Sequence, residues 1–307
     1  MKSRTLKVTR AAMAILLATA SILVLDGWSG RTAQPAQAAP PALDARAAGE
    51  LELDVLHLNI YGHVGNADSD EEVRALVENL VQLIGDRQPD LVSLNEVCKS
   101  QADGLRDALA GRYRLYASLA WWPAVTKPAC GGSFGRAILV REDLARGGKP
   151  FVRQLPVDRQ RDLAKRPIVC LAMWRVTTVF CTTHLTAGGG EERDRERALQ
   201  VEKIHRTFAP YNAVGWNIIL GADMNMRPSD PNLNSVYEPS YGDGAYGIYR
   251  EAHPDRTTKE PTTDGGSPID YIFVNNRPLS ISTPTITEVE YSDHHVYEAT
   301  VLLRTHR

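Results

Sequence analysis

Two histidines, several carboxylates and a side-chain amide stand at the ends of apolar runs in this chain. They lie in Cys181-Thr182-Thr183-His184-Leu185, in Leu220-Gly221-Ala222-Asp223-Met224-Asn225, in Ile269-Asp270-Tyr271-Ile272-Phe273 and in Tyr291-Ser292-Asp293-His294-His295-Val296. A histidine takes a proton from water near neutral pH when a carboxylate fixes its tautomer, and Asp293-His294 and Asp270 offer that combination. Strand ends are where α/β folds place reacting groups, because the sheet holds the geometry while loops shape the pocket. The chemistry implied is hydrolysis.

A second set stands nearer the N-terminus. Glu96 closes the apolar run Leu91-Val92-Ser93-Leu94-Asn95, where a carboxylate must be paired or hold a cation, because burying it bare costs too much. Oxygen donors alone suit a hard ion such as Mg²⁺. Asn59 ends the preceding apolar run, residues 51–60. Between the two runs, Ser69 and Glu72 form a capping-box signature, and Val73, Leu76, Val77, Leu80 and Ile84 recur at helical spacing. A strand, a helix and a strand in this order make a parallel, right-handed unit, so Asn59 and Glu96 should emerge at one sheet edge.

Later strands are expected at residues 137–141, 167–174, 179–183, 216–220, 269–274 and 296–303, paired antiparallel. A helix over 192–208 separates two of them and turns Ala198, Val201, Ile204 and Phe208 to one side. Many strands and few helices predict an α+β fold, two sheets packed face to face with helices outside.

Residues 1–38 read as a secretory signal peptide: Lys2, Arg4, Lys7 and Arg10 precede an apolar run over 11–25, and Ala36-Gln37-Ala38 offers a cleavage point. The run is shorter than the roughly 20 residues of a membrane span. Residues 39–50 would be a flexible mature N-terminus and 51–305 one catalytic domain. Cleavage after Ala38 removes five positive residues and one negative, moving the formal charge from −2 to −6. Such a chain does not wrap nucleic acid by bulk charge, although a local basic track is permitted. Four cysteines in an exported chain favour disulfides over free thiols, and no pair has zinc-finger spacing. Cys170 and Cys181 lie symmetrically about a turn near 175–178 and should face each other across a hairpin, leaving Cys98 to pair with Cys130.

Six pieces in order resemble the endonuclease/exonuclease/phosphatase superfamily: Leu58-Asn59-Ile60, Leu94-Asn95-Glu96-Val97, Thr183-His184-Leu185, Gly221-Ala222-Asp223-Met224-Asn225, Ile269-Asp270-Tyr271-Ile272 and Ser292-Asp293-His294. The resemblance implies a deoxyribonuclease I-like four-layer sandwich of two mixed β-sheets. It also implies a divalent cation, Mg²⁺ or else Ca²⁺ or Mn²⁺, with Glu96 as principal ligand and Asn59 and Asp293 near the ion. His294 would be the general base, oriented by Asp270. Asp223 and Asn225 would position the attacking water and the phosphate, and His184 would bond a phosphoryl oxygen. Two positions depart from the family pattern. Pro268 stands where a basic residue is frequent, and Arg136 where asparagine is common. His295 has no counterpart and reads as a surface residue.

The substrate expected is a phosphate ester, with nucleic acid favoured. Nine basic residues against four acidic ones between Arg136 and Arg166 could grip phosphates, and Arg166-Pro167 resembles a backbone-contacting stretch of the family. Arg136 and Arg166 are therefore the expected substrate contacts. Trp121-Trp122-Pro123 favours the alternative, a lipid head group in a sphingomyelinase-like reaction, if these rings are exposed. A phosphomonoesterase is a further reading. A non-catalytic binding module should have lost one of Glu96, His184, Asp223 or His294, and none is lost. Nothing in the sequence marks a stable protein partner, so a monomer is expected.

Overall fold

The structure is a computed structural model describing residues 48–121, 127–157, 166–275 and 278–306. The expected leader, most of the mature N-terminus, Trp122 and the Trp121 side chain lie outside the described residues, as do Arg159, Arg161 and Lys165 of the basic stretch.

In chain order the elements are β1 (Ala48–Asn59), α1 (Asp70–Arg87), β2 (Leu91–Cys98), α2 (Lys99–Ala108), β3 (Tyr113–Trp121), β4 (Ser133–Arg141), α3 (Glu142–Ala145), β5 (Lys149–Gln154), β6 (Pro167–Met173) and β7 (Thr178–His184). There follow α4 (Glu191–Ala213), β8 (Asn217–Asp223), β9 (Tyr249–Glu251), β10 (Asp270–Asn275), β11 (Ser280–Ile281), β12 (Thr285–Thr287) and β13 (Val296–His306). One sheet runs β11-β13-β1-β2-β4-β3, with β12 also on β13, and the other runs β5-β6-β7-β8-β10-β9.

β1 and β2 pair in parallel, as the intervening helix requires. α1 starts where expected: Ser69 Oγ accepts the Glu72 N–H at 3.2 Å, while the Glu72 carboxylate accepts from the Asp68 N–H. β8 differs from expectation, pairing in parallel with β7 and antiparallel with β10. The physical reason is the 23-residue α4, which is long enough to carry the chain back to the start of its neighbour. Each sheet is therefore mixed.

Successive side chains of a strand point to opposite faces, and this alternation builds four layers. In β1, Leu56 and Leu58 pack with Leu76, Val77, Leu80 and Ile84 of α1. Leu53 and Val55 face the other way and meet Leu171, Phe180, Ile219 and Ile272 of the second sheet. That sheet's outer face, including Ile218 and Leu220, packs with Val201, Ile204 and Phe208 of α4. The expected four-layer α+β sandwich is the architecture found.

The seam between the sheets is graded. Register pairs Val55 with Leu91, His57 with Ser93 and Asn59 with Asn95 in one sheet; in the other it pairs Phe180 with Ile219, Thr182 with Gly221 and His184 with Asp223. Low in the seam the side chains are large and apolar, each burial contributing about 1.5–3 kcal/mol. Two residues up they become small and polar, and at the strand ends they are the candidate reacting groups. At Gly221 the sheets come close, since a Cβ there would lie 2.5 Å from Ser93 Cβ.

Both expected disulfides are present, Cys98–Cys130 and Cys170–Cys181, the latter between directly paired residues of β6 and β7. Loop closure makes the first, with a separation of 32 residues, worth ~3–4 kcal/mol, and the second, with a separation of 11, somewhat less. Reduction is expected to lower the thermal midpoint in a scan of the purified chain, and an intact mass showing four free thiols would contradict both bridges.

Candidate active site

Asn59, at the end of β1, sits at the centre of the polar end of the seam. Its Nδ2 lies 3.2 Å from Glu96 Oε1, 3.3 Å from Asp223 Oδ2 and 3.5 Å from His294 Nε2. Its Oδ1 accepts the Tyr61 N–H at 3.1 Å, which fixes the amide.

Glu96 should by strict alternation face the helix side, because Asn95 faces the seam. A bulge between Asn95 and Val97 breaks the register and turns Glu96 back toward Asn59. The turn places Glu96 at φ +60°, a left-handed conformation costly for a side chain with a Cβ. The loop after β1 holds it there. A Cβ on Gly62 would lie 2.4 Å from the Glu96 carbonyl oxygen, so only glycine lets the two segments meet. Gln101 then bridges them, donating to the carbonyls of Gly62 at 2.9 Å and Asn66 at 3.0 Å while accepting the Cys98 N–H.

Asp223 ends β8 opposite both His184 and Asp270. Its Oδ1 accepts the N–H of Asn225, itself at φ +49°, while Oδ2 lies 3.4 Å from His184 Nε2 and 3.9 Å from His294 Nε2. Asn225 Nδ2 donates to the Leu185 carbonyl at 3.3 Å. Asp270 Oδ2 accepts from His294 Nδ1 at 2.7 Å and from Thr262 Oγ1 at 2.7 Å, and its Oδ1 lies 3.1 Å from His57 Nε2. Behind it the fully buried Lys259 donates to the Asp270 main-chain oxygen at 2.6 Å and pairs with Glu251 at 3.1 Å.

The electrostatics follow from this burial. Burial, and then the neighbouring Asp270 charge, push Asp223 up to about 7. Burial opposes a charge on His294, but the adjacent Asp270 carboxylate and its hydrogen bond outweigh it and raise His294 to about 10. Asp270 is held below the usual carboxylate range: burial works the other way and is overcome by His294 and His57. Burial, helped by Arg166 and Arg136, keeps His184 well below its ordinary value and so neutral. Glu96 is raised, by burial first and by Asp293 in addition.

Two donor sets invite a cation. Asp223, Asp270 and His294 offer atoms within 4.8 Å of one another, but Asp270 is already satisfied by three side-chain donors and His294 Nδ1 is committed to it. Glu96 fits better. Among the described residues its carboxylate takes one hydrogen bond, from Asn59, and His184 Nδ1, 3.9 Å away, is buried without a partner. A raised, under-bonded carboxylate at Glu96 with a second, exposed one at Asp293 makes a place that a positive charge would complete.

The sequence matches the model of the Endonuclease/Exonuclease/phosphatase family over residues 56–294. The chain belongs to that family. Members are metal-dependent phosphoesterases. Among solved structures it resembles the human Nocturnin catalytic domain with bound sulfate anion (19% identity, TM-score 0.63, 85% of this chain and 97% of that one). It also resembles an endonuclease/exonuclease/phosphatase from Beutenbergia cavernae (19%, 0.61, 82% and 72%) and truncated Caenorhabditis elegans TDP2 (17%, 0.59, 81% and 97%). No curated protein matches the sequence.

Of the expected site residues, the fold brings together Asn59, Glu96, His184, Asp223, Asn225, Asp270 and His294, with Asp293 exposed at the rim and close enough to act on Glu96. Arg166 is half-buried, and its charge reaches Glu96 and His184. Arg136 corrects an expectation: it is 2% exposed and donates to the His184 main-chain oxygen at 2.8 Å, so it props the loop rather than facing a substrate. His295 corrects another. It is buried, with its N–H on the Thr262 carbonyl and its ring 3.1 Å from Asp264, because a bridge between Thr263 and His294 draws this segment against the loop before β10. The described part of the basic stretch does not form one track either, since Arg141 is tied to Asp90 and Asp143 and, with Lys149, stands at the opposite end of its sheet from the site.

Gly62→Ala tests the clamp on Glu96. The added methyl is expected to destabilise the chain by ~1–3 kcal/mol and to lower turnover at least tenfold by displacing the bulge, read by thermal unfolding and hydrolysis assays on the same sample.

Proposed function

We propose that the chain is an exported phosphodiesterase that cleaves phosphate diesters by direct in-line attack of water. The observation that carries this reading is the convergence at one strand-end cluster of a strained, under-bonded Glu96, a neutral His184 and an Asp223–His294 pair braced by Asp270. Two disulfides support the exported half of the proposal, because such bridges persist in oxidising compartments.

Glu96 would hold a divalent cation, with Asn59 and Asp293 beside it, and Mg²⁺ suits the oxygen donors. When bound, it polarises the phosphoryl oxygens and offsets the negative charge that builds on them. The chain's own groups do the rest. All four cysteines are in disulfides, so none is a nucleophile. Asp223 and Asn225 would position the attacking water. Burial pushes the Asp223 carboxyl up to about 7, and the Asp270 carboxylate holds His294 up at about 10. With His294 protonated through neutral pH, the base role expected of it would pass to Asp223, and the imidazolium would face the charge that develops on the phosphoryl oxygens. Asp270 fixes the His294 ring. His184 reaches a phosphoryl oxygen with its unpartnered nitrogen, and Arg166 adds a cation at the mouth.

A nucleic-acid strand is the substrate to test first, because Arg166 supplies a phosphate contact where a strand would pass. Plasmid DNA, RNA, sphingomyelin vesicles and p-nitrophenyl phosphate are offered to the purified chain with Mg²⁺ and with chelator. Chelator-sensitive nicking that weakens with salt supports a nuclease; phosphocholine release without nicking supports a lipid phosphodiesterase. Glu96→Ala and His294→Ala are each expected to lower turnover by about 10²–10⁴-fold while leaving the fold intact, and near-normal hydrolysis in both would sink the assignment.

The pH profile has a sign. The base must be unprotonated and the imidazolium protonated, so kcat/KM should rise through about 7 and fall above about 10. In Asp270→Asn the carboxylate that holds the His294 proton is gone, so the falling limb should move to lower pH.

A further inference from the structure

Below the reacting groups the seam contains a histidine to which the mechanism above gives no role. His57 is fully buried in β1, two residues before Asn59 and on the same face. Its Nε2 lies 3.1 Å from Asp270 Oδ1, the oxygen opposite the one bonded to His294. A carboxylate can only accept, so the proton of this bond is on His57. The other ring nitrogen, Nδ1, lies 2.8 Å from Ser93 Oγ of β2, and Ser93 Oγ lies 2.7 Å from Thr182 Oγ1 of β7. Thr182 Oγ1 donates in turn to Asn95 Oδ1 at 3.2 Å.

This is a built arrangement. Gly221 opposes it in the second sheet, and any Cβ there would lie 2.6 Å from Ser93 Oγ and 3.2 Å from His57 Nδ1. The position could have been filled with an apolar side chain, as Val55 fills the layer below. We propose that His57 is a positioning residue for the hydrolysis: it fixes the second oxygen of Asp270, so that the first is presented to His294 Nδ1 in one orientation. Asp270 is thereby clamped between an imidazole from the core and an imidazole from the site. Without the inner one, the carboxylate loses a donor at a position closed to bulk solvent, and it can rotate away from His294. Supporting partners of this kind typically change activity 10–100-fold when removed.

The inference rests on the hydrolytic reading of the site, and the test separates the two. In the full chain, His57→Leu keeps volume and removes the donor, His57→Gln keeps a donor at similar reach, and Ser93→Ala removes the support of the ring. With bis(p-nitrophenyl) phosphate as probe, His57→Leu is expected to lower kcat about 10–100-fold with KM within about twofold. His57→Gln should recover about tenfold of that loss, and Ser93→Ala should lower kcat less than His57→Leu does. The proton NMR resonance of the His294 Nδ1–H on Asp270 should move in His57→Leu and return toward its position in His57→Gln. Wild-type kcat in His57→Leu, or His57→Gln no better than His57→Leu, would overturn the role. If His57→Leu does not fold, as judged by thermal unfolding, the Gln and Ser93→Ala variants decide it by the same readouts. A wild-type chain inactive on every ester would end the hydrolytic reading alone, and an unmoved His294 resonance would end this one.

Discussion

Asp270 is a carboxylate with no access to water, and the upper half of the molecule is organised around that fact. An isolated buried carboxylate costs far more than the margin by which a domain is stable. The cost is offset only if donors arrive from several directions at once, and here they do: His57 from β1, His294 from the segment before β13, and Thr262 from the loop before β10, with Lys259 on its main-chain oxygen. β1 belongs to one sheet and β10 to the other. The two sheets must therefore pack in one register, because a shift of a single residue would turn His57 toward α1 and leave the carboxylate bare. The apolar lower seam favours packing in general, and Asp270 makes it specific.

Strain sits where the chemistry needs it. Among the six described non-glycine residues with positive φ are Glu96 and Asn225, both candidate site residues. Each is held by neighbours that have no freedom to relax: Glu96 by Gly62 and Gln101, Asn225 by the Asp223 carboxylate and the Leu185 carbonyl. Glu96 is turned toward Asn59 but receives little there, so its conformation is stabilised from outside the site and its charge is left available within it. That separation is what a cation ligand requires.

The strand ends were legible in the sequence because each carries an abrupt change from apolar to polar residues, and the β1-α1-β2 unit because cap, periodicity and length agreed. β8 was misread as antiparallel, since pattern alone does not reveal that a long helix between two strands is a crossover. Arg136 was misread because position within a motif says nothing about depth, and β4 is central enough to bury it against β3 and β2. His295 was misread because it follows a reacting residue and was assigned to the surface, whereas the bridge between Thr263 and His294 draws it against the loop before β10. His57 was missed although a signal existed. Once Asn59 is placed on the seam, period two places Leu53, Val55 and His57 on the same face, and a histidine in that series stands out against its apolar predecessors.

The same grading accounts for what the family fold leaves open. Layers of the seam fix the hydrolytic groups to the ends of β1, β2, β7, β8 and β10, all rigid, so changes at the rim need not disturb them. Among the described residues, the segments that the seam does not constrain are the loop over residues 61–66, the stretch entering β6 at Arg166, and Asp293. Of the described basic residues between Arg136 and Arg166, Arg136 is buried, and Arg141 and Lys149 stand at the far ends of β4 and β5. Arg166 and the loop that clamps Glu96 therefore flank the strand-end cluster, while Arg141 and Lys149 lie far from it.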